Sequence, residues 1–217
     1  MTMTVASDLE GTITAGETWR GMRDFLVENG HERAYRRFFF WRMPSLFLFR
    51  LGWVNERAFK ERWLLSLLHL YKGFSQEEMA AMAKFVAEKT LWPTRREAVV
   101  QELQSHQANG RNVLIVTGMF EPILAHLAQK LDVGAIGTPL AFDENRRFTG
   151  LTATPFNIGP RKVAQLQPYL VNGRLAAAYG DTVRDIPMLE LAEEPVAVHP
   201  DALLRETAVA RGWRILE

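Results

Sequence analysis

Residues 5–14, VASDLEGTIT, decide the fold that we expect for this chain. The apolar run at residues 3–6 is typical of a buried strand, because nothing in it caps or periodically favours a helix. Two carboxylates follow, Asp8 and Glu10, and then Gly11, at which the chain can turn. An acid at the carboxyl end of a strand lies where open parallel sheets bind ligands. The pair is therefore either part of a binding site or an ordinary solvated pair of acids.

A second apolar run, residues 112–116, also ends in polar positions. Its continuous apolar character is expected of a central parallel strand that is buried on both faces. Thr117 and Gly118 follow it, so a hydroxyl and open backbone amides stand at the end of the strand. Pro122 suits the first turn of the next helix, whose amino end favours an anion. Thr117 is either a contact for a phosphate oxygen or an ordinary hydroxyl at a strand end.

Two acids follow a third apolar run, residues 175–179. Asp181 comes almost directly after the run, and Asp185 lies four residues later. Carboxylates at this spacing can converge on Mg²⁺, which takes one or two of them in proteins. The structural alternative is an Asx-turn at Asp181 and a helix cap at Asp185.

Two cations occupy the first turn of a predicted helix. Gly159 and Pro160 open this helix, and Arg161 and Lys162 follow. The helix dipole disfavours a cation at the amino end, so this placement suggests that one of the two binds an anion. Solvated surface charge is the alternative.

These segments occur in the order of the four motifs of the haloacid dehalogenase (HAD) superfamily. Residues 8–12, DLEGT, resemble the first motif, Asp-x-Asp-Gly-Thr, and residues 116–118, VTG, resemble the second. Lys162 resembles the third motif and residues 180–185, GDTVRD, the fourth. The chain is most similar to the phosphoserine-phosphatase-like branch, subfamily IB. It departs from the pattern at Glu10, where the family has a second aspartate.

The resemblance implies an α/β fold, a Rossmann-like parallel sheet between helices, and a Mg²⁺-dependent phosphomonoester hydrolase. Asp8 would be the nucleophile that forms an aspartyl-phosphate, and Glu10 the general acid and base. Asp8, the backbone carbonyl of Glu10 and Asp181 would bind the Mg²⁺. Asp185 would orient a metal-bound water or the motif lysine. Because Glu10 is one methylene longer than aspartate, the step that needs testing is whether its carboxyl group is placed to exchange a proton with the leaving oxygen.

The same resemblance assigns residues to the substrate. Thr117, Gly118 and Lys162 would bind the oxygens of the phosphoryl group. Glu17 lies where phosphoserine phosphatases carry an acid that meets the substrate's amino group, and Arg62 could meet a carboxylate. The expected partner is a small phosphorylated metabolite, possessing a phosphoserine-like structure.

Other functions stay open at this point. Met119 stands where those enzymes have a small residue, so the resemblance supports the branch more than it supports phosphoserine itself. The hydrophobic cap makes a lipid phosphate an alternative substrate. A phosphotransferase that passes the phosphoryl group to an alcohol is another alternative. A non-catalytic phosphate-binding interaction module is the alternative of a different class; the joint presence of nucleophile, lysine and late acids disfavours it.

Helical patterns interrupt the strand pattern over residues 15–89, as a C1-type helical cap would. We expect helices capped by Thr18, by Asn55, and by a capping box of Ser75 and Glu78.

The predicted catalytic core combines residues 1–14 and 90–217, with residues 15–89 as the cap. Thr94 and Glu97 predict the start of the first helix of the second core segment. Short strands around a turn at residues 143–147 predict a hairpin.

Residues 36–53, RRFFFWRMPSLFLFRLGW, are both aromatic and basic. Arg42, Pro44 and Arg50 interrupt the stretch too often for it to span a bilayer, which takes about 20 apolar residues. It is either the core of the cap with arginines reaching outward, or an apolar, basic-rimmed surface. Such a surface would receive an acyl chain, a peripheral contact with an anionic membrane, or a second subunit.

Composition further narrows the class of protein to which the chain can belong. A chain of 217 residues with a net charge of +1 can bury a sizeable core and is not basic enough for a dedicated nucleic-acid binder. It has no cysteine, and its first ten residues lack a signal-peptide pattern, so we expect a cytoplasmic monomer or homodimer. The five histidines have no metal-ligand spacing.

Overall fold

In the computed structural model, which describes residues 2–50 and 56–217, six parallel strands form one sheet and two antiparallel strands form a hairpin. The strands are β1 Thr4–Ser7, β2 Asn112–Phe120, β3 Gly134–Thr138, β4 Leu140–Phe142, β5 Phe148–Thr152, β6 Leu175–Gly180, β7 Ala192–Val198 and β8 Arg214–Leu216. The order in the sheet is β3-β2-β1-β6-β7-β8, and β4 pairs with β5. This arrangement confirms the expected α/β fold and the hairpin.

The two central strands explain the sequence pattern. Every residue of β1 and β6 is buried. Val5 of β1 pairs with Val113 on one side and Ala177 on the other, so no edge of β1 faces solvent. A parallel strand with helices over both faces needs an unbroken apolar sequence, and both strands have one apart from their ends.

Nine α-helices lie in the described part of the chain. They are α1 Thr18–Glu28, α2 Glu32–Arg50, α3 Glu56–Leu68, α4 Gln76–Phe85, α5 Glu97–Ala108, α6 Glu121–Leu131, α7 Pro160–Leu166, α8 Ile186–Leu189 and α9 Ala202–Arg211. A π-helical segment, Val86–Leu91, continues α4. None of the described helices is long and apolar enough to span a bilayer.

Helix starts follow the sequence prediction in part. The capping box of Ser75 and Glu78 is confirmed at the start of α4. Two other predictions are wrong: Thr18 is the first residue of α1 rather than its cap, and α5 begins at Glu97 after Arg96. The hydroxyl of Thr94 instead donates to the carbonyl of Thr90 at 2.8 Å, which satisfies it locally.

Helices α1 to α4 form the insertion between β1 and α5 in the chain. Met22 of α1 and Met82 of α4 belong to the same buried apolar cluster as Val113 and Ile115 of β2. The insertion therefore shares one apolar core with the sheet, and α4 packs against α6. The boundaries of the predicted cap, residues 15–89, stay a prediction.

The aromatic and basic stretch at residues 36–53 continues α2 as far as Arg50, through Pro44. The rest of the stretch and Asn55, the predicted cap of the next helix, lie outside the described residues.

Candidate active site

Asp8 lies at the carboxyl edge of the sheet, directly after β1. Its backbone N–H donates to the carbonyl of Tyr179 in β6 at 2.9 Å, which continues the strand pairing by one residue. The chain then turns at Gly11, whose φ of +84° is a conformation that glycine adopts without strain. A Cβ added at Gly11 would lie 1.9 Å from Oδ2 of Asp181. Glycine at this turn therefore lets the loop after β1 lie against the acid that follows β6.

Lys162 joins two of the acids. Its Nζ donates to Oδ1 of Asp8 and to Oδ1 of Asp185, both at 2.6 Å. The three side chains are buried, and Asp185 is only 1% exposed. The other carboxylate oxygen of Asp185 accepts from the backbone N–H and the hydroxyl of Thr182, at 3.2 and 3.1 Å. Because ammonium and carboxylates are charged, these hydrogen bonds are of the stronger kind.

Three carboxylates lie close enough to share a cation. Oxygens of Asp8, Asp181 and Asp185 all lie within 4.8 Å of one another. Asp181 also accepts from the hydroxyl of Thr12 at 3.1 Å, which orients it. An all-oxygen donor set of this kind fits a hard divalent cation such as Mg²⁺. The set brings together the predicted Asp8 and Asp181, and it adds Asp185 as a third carboxylate.

The charges in the cluster do not balance without a cation. Burial raises the pKa of Asp8, although the Lys162 ammonium opposes this shift. Burial, together with the charges of Asp8 and Asp185, raises the pKa of Asp181 to about 8. Burial alone would lower the pKa of Lys162, but Asp185 and Asp8 raise it overall. One ammonium therefore faces three carboxylates, and a divalent cation would stabilise their ionised forms.

Glu10 points away from this cluster toward the inserted helices. Its Oε1 accepts from the backbone N–H of Thr18, the first residue of α1. Burial raises the pKa of Glu10 to about 7, although the Thr18 hydrogen bond opposes the shift. The carboxyl group thus stands at the positive end of α1, between the sheet and the insertion.

A cleft of about 830 Å³ connects these groups. Seven of the predicted site residues line it: Asp8, Glu10, Thr117, Gly118, Lys162, Asp181 and Asp185. Thr117 is buried in β2, three residues before the strand ends at Phe120, and its Oγ1 accepts from the backbone N–H of Met119 at 3.4 Å.

Two predicted substrate-binding residues are not among the described residues that line the cleft. Glu17 is exposed and forms an ion pair with Arg20. Arg62 is exposed on α3, where its carbonyl accepts from the hydroxyl of Ser66 at 2.6 Å. Their roles in binding stay predictions.

The sequence reasoning missed most of the apolar lining of the cleft. Five apolar residues line it, of which only Met119 was singled out from the sequence: Leu64, Met119, Phe156, Ile158 and Leu203. Asp201, which caps α9, also lines the cleft. Its carboxylate accepts from the backbone N–H groups of Val183 at 3.1 Å and Leu204 at 2.7 Å, and so ties the loop after β6 to α9. The position of Asp201 shortly after strand β7 is the sequence feature that could have placed it at the cleft.

Comparisons with known proteins agree with this geometry. The haloacid dehalogenase-like hydrolase family model matches residues 5–190. A histidinol-phosphatase of Neisseria meningitidis serogroup C (strain 8013) is 32% identical over 155 residues, which cover 66% of this chain and 68% of that protein. The phosphoserine phosphatase SerB1 of Mycobacterium tuberculosis (strain ATCC 25618 / H37Rv) is 29% identical over 226 residues, which cover 96% of this chain and 68% of that protein.

A solved structure shares the whole architecture. The crystal structure of a protein with unknown function from Bordetella pertussis Tohama I is 25% identical, with a TM-score of 0.77, and the match covers 100% of this chain and 99% of that one.

The match over most of the chain and the acidic cleft at the end of β1 lead to one conclusion: the chain belongs to the haloacid dehalogenase-like hydrolase family. It is a phosphatase of the phosphoserine-phosphatase-like kind, as the motifs predicted. The cluster of aspartates that could hold a metal ion is present in it.

Proposed function

We propose that this phosphatase hydrolyses small phosphomonoesters through a phosphoenzyme formed on Asp8. The observation that carries the proposal is the pair of 2.6 Å hydrogen bonds from Lys162 to Asp8 and Asp185, beside Asp181. A nucleophile needs a fixed direction, and the lysine holds one oxygen of Asp8 in place. The same ammonium can then contact a phosphoryl oxygen.

In the first step a carboxylate oxygen of Asp8 attacks phosphorus, and the ester bond to the leaving oxygen breaks. Glu10 protonates that oxygen as it leaves. In the second step Glu10 takes a proton from water, which attacks phosphorus and releases inorganic phosphate, restoring the carboxylate of Asp8. The place of Glu10 in the cleft, outside the aspartate cluster, supports this role.

The phosphoryl oxygens need donors while charge develops on them. Lys162, the hydroxyl of Thr117 and the backbone N–H of Gly118 line the same cleft and can supply these donors. Asp8, Asp181 and Asp185 would hold the Mg²⁺, with the carbonyl of Glu10 as a predicted further ligand. When bound, Mg²⁺ neutralises the repulsion between the carboxylates and the phosphate.

The substrate that we infer is the phosphate ester of a small amino alcohol. The two relatives named above act, by their names, on histidinol phosphate and on phosphoserine, and both of these compounds are of that class. The apolar wall with Met119, Phe156 and Ile158 favours a leaving group that has more apolar surface than serine. A panel of amino-acid, sugar, nucleotide and lysophospholipid phosphates tests this inference; best turnover on a sugar or nucleotide phosphate would contradict it.

The test of the mechanism is Mg²⁺-dependent release of phosphate from an aryl phosphate. Asp8→Asn should lower kcat by at least about 10³-fold, because an amide is a poor nucleophile. Asp24→Asn, at a surface aspartate of α1, is the matched control and should keep full activity. In the same assay Glu10→Ala should lose turnover while calorimetry shows that it still binds Mg²⁺. Activity that persists in Asp8→Asn would rule out the assigned nucleophile.

A further inference from the structure

One side of α2 combines arginines with exposed aromatic rings. The spacing i, i+3, i+4, i+7 and i+8 places five residues on one side of the helix, and all five are exposed. They are Arg33, Arg36, Arg37, Phe40 and Trp41, and we call this surface the α2 face.

The rings of the α2 face are exposed to an unusual degree. Phe40 is 72% exposed and Trp41 is 75% exposed, and their ring centroids lie 6.3 Å apart. The opposite side of the helix is the one that packs: Phe38 contacts the ring of Trp63 edge-on, with centroids 5.3 Å apart. The helix is therefore held by its inner side, and the rings of Phe40 and Trp41 are left in solvent. Large adjacent apolar groups at the surface are typical of an interaction site.

The apolar surface extends beyond the helix. A groove of about 500 Å³ runs between α2 and β5, and Trp41, Leu65, Leu70 and Leu151 line it. Leu151 of β5 is itself 58% exposed. The groove thus joins the exposed ring of Trp41 to a second apolar position on the hairpin.

The charge of this part of α2 is strongly positive. Residues 32–43 contain four arginines and one glutamate, which leaves a net charge of +3. Glu32 pairs with Arg36 at 3.1 Å, and both side chains are more than half exposed. Such an exposed pair is weak, so the arginines of the α2 face remain able to bind anions.

We propose that the α2 face binds the surface of an anionic phospholipid bilayer. Phe40 and Trp41 would enter the headgroup region, and Arg33, Arg36 and Arg37 would contact lipid phosphates. The charge decides against a second copy of the chain as the occupant: a twofold contact would place the same arginines of both copies against each other. An anionic bilayer has the charge opposite to that of the arginines, and its headgroup region can bury the rings of Phe40 and Trp41.

The test is co-sedimentation of the full chain with vesicles of equal parts phosphatidylcholine and phosphatidylglycerol, compared with phosphatidylcholine alone. Binding to the anionic vesicles should be at least tenfold stronger, since each arginine near such a surface contributes roughly fivefold. Arg33→Glu with Arg37→Glu should abolish this preference and its dependence on salt. Phe40→Ser with Trp41→Ser should lower binding about tenfold.

The matched control lies on α9, where Arg205 and Val209 are also exposed one turn apart. Arg205→Glu with Val209→Ser should leave vesicle binding unchanged. Circular dichroism establishes whether each variant is folded. If the Phe40 and Trp41 variant does not fold, the arginine variant alone tests the proposal. Absence of binding to anionic vesicles overturns the proposal, as does equal loss in the α9 control. Light scattering that shows a dimer broken by the α2 variants would assign the face to a second copy instead.

Discussion

The cleft and the α2 face both concentrate charge, but they satisfy it in opposite ways. In the cleft the Lys162 ammonium and its two carboxylate partners are buried and lie 2.6 Å apart. On the α2 face the arginines are solvated and stand beside exposed rings. Buried charges are costly unless each one has a partner, whereas solvated charges need none. Stability and activity should therefore be sensitive to every change of side chain in the cleft. Changes on the α2 face should affect the binding of a partner but not the stability of the free chain.

Removal of the buried cation should have the largest effect. Lys162→Met keeps the length of the side chain but leaves Asp8 and Asp185 without their shared donor. We expect the free energy of unfolding, measured with urea in EDTA, to fall by about 3–5 kcal/mol. Turnover of an aryl phosphate should fall by about 10³-fold. Lys84→Met, at an exposed position of α4, is the control and should change stability by less than about 0.5 kcal/mol. Equal effects of the two variants would contradict the comparison.

The cost of crowding Asp181 at Gly11 can be measured separately from the cost of backbone strain. Gly11 and Gly30 have nearly the same φ, +84° and +81°, but an added Cβ meets Asp181 at Gly11 and nothing within 4 Å at Gly30. Gly30→Ala should cost about 1 kcal/mol, the cost of the conformation alone. Gly11→Ala should cost about 3 kcal/mol and lose most of the activity, because Asp181 must move. Urea unfolding and phosphate release measure both; similar losses in the two variants would mean that the contact is unimportant.

A series of hydrogen bonds between α5 and β6 provides a test by pH. Arg111 donates to Nδ1 of His106 at 3.0 Å, so the neutral ring carries its proton on Nε2, which lies 2.9 Å from the hydroxyl of Tyr179. That hydroxyl donates to Glu102 at 2.8 Å. The other charged groups near the ring are Glu194 and Arg214.

Burial, and then the charge of Arg111, lowers the pKa of His106 below its ordinary 6.5. A depressed histidine pKa means that the unfolded chain binds the proton more readily. The contribution of His106 to stability should therefore be full above pH 6.5 and be lost as the pH drops below it. The raised pKa values of Glu10 and Asp181 act with the opposite sign, so the measured quantity is the difference in free energy of unfolding between the parent and His106→Gln, which should change with pH below 6.5. His126→Gln, which changes a histidine of α6 outside this series of hydrogen bonds, should keep the pH dependence of the parent.

The smallest effect is expected on the α2 face. Phe40→Ser should change the free energy of unfolding by less than about 0.5 kcal/mol, since the ring is 72% exposed. Phe38→Ala, two positions away and on the inner side of the helix, should cost about 2 kcal/mol, because that ring packs against Trp63. Thermal or urea unfolding compares the two. A large loss in Phe40→Ser would show that the rings of this face already have a structural role.

The strand ends were predictable because their chemistry is local. Residues 3–6, 112–116 and 175–179 are short apolar runs, and each is followed within two residues by a polar side chain, so the strand and its polar end can be predicted, although β2 continues to Phe120. Helix starts at Thr18 and Thr94 were predicted less well. Capping residues compete with other local partners, and the hydroxyl of Thr94 bonds to carbonyls of the preceding turn instead.

The cleft wall could not be predicted in the same way. Leu64, Phe156 and Leu203 come from three separate parts of the chain, and none has a sequence feature that distinguishes it from a core residue. Glu17 and Arg62 have suggestive charges, but their place depends on how the inserted helices pack. The exposure of Phe40 and Trp41 was likewise undecided, because an aromatic run in a helix can face either the core or solvent.

By itself the sequence determined which residues carry charge at the ends of the strands, because parallel strands bring their carboxyl ends to one edge wherever they lie in the sheet. The tertiary structure alone decided which of those charges touch. Lys162 reaches both Asp8 and Asp185, which are 154 and 23 residues away in the chain, and Glu10 turns instead to the start of α1. Distances of this kind depend on the packing of whole elements, and a side chain's own neighbours in sequence do not specify them.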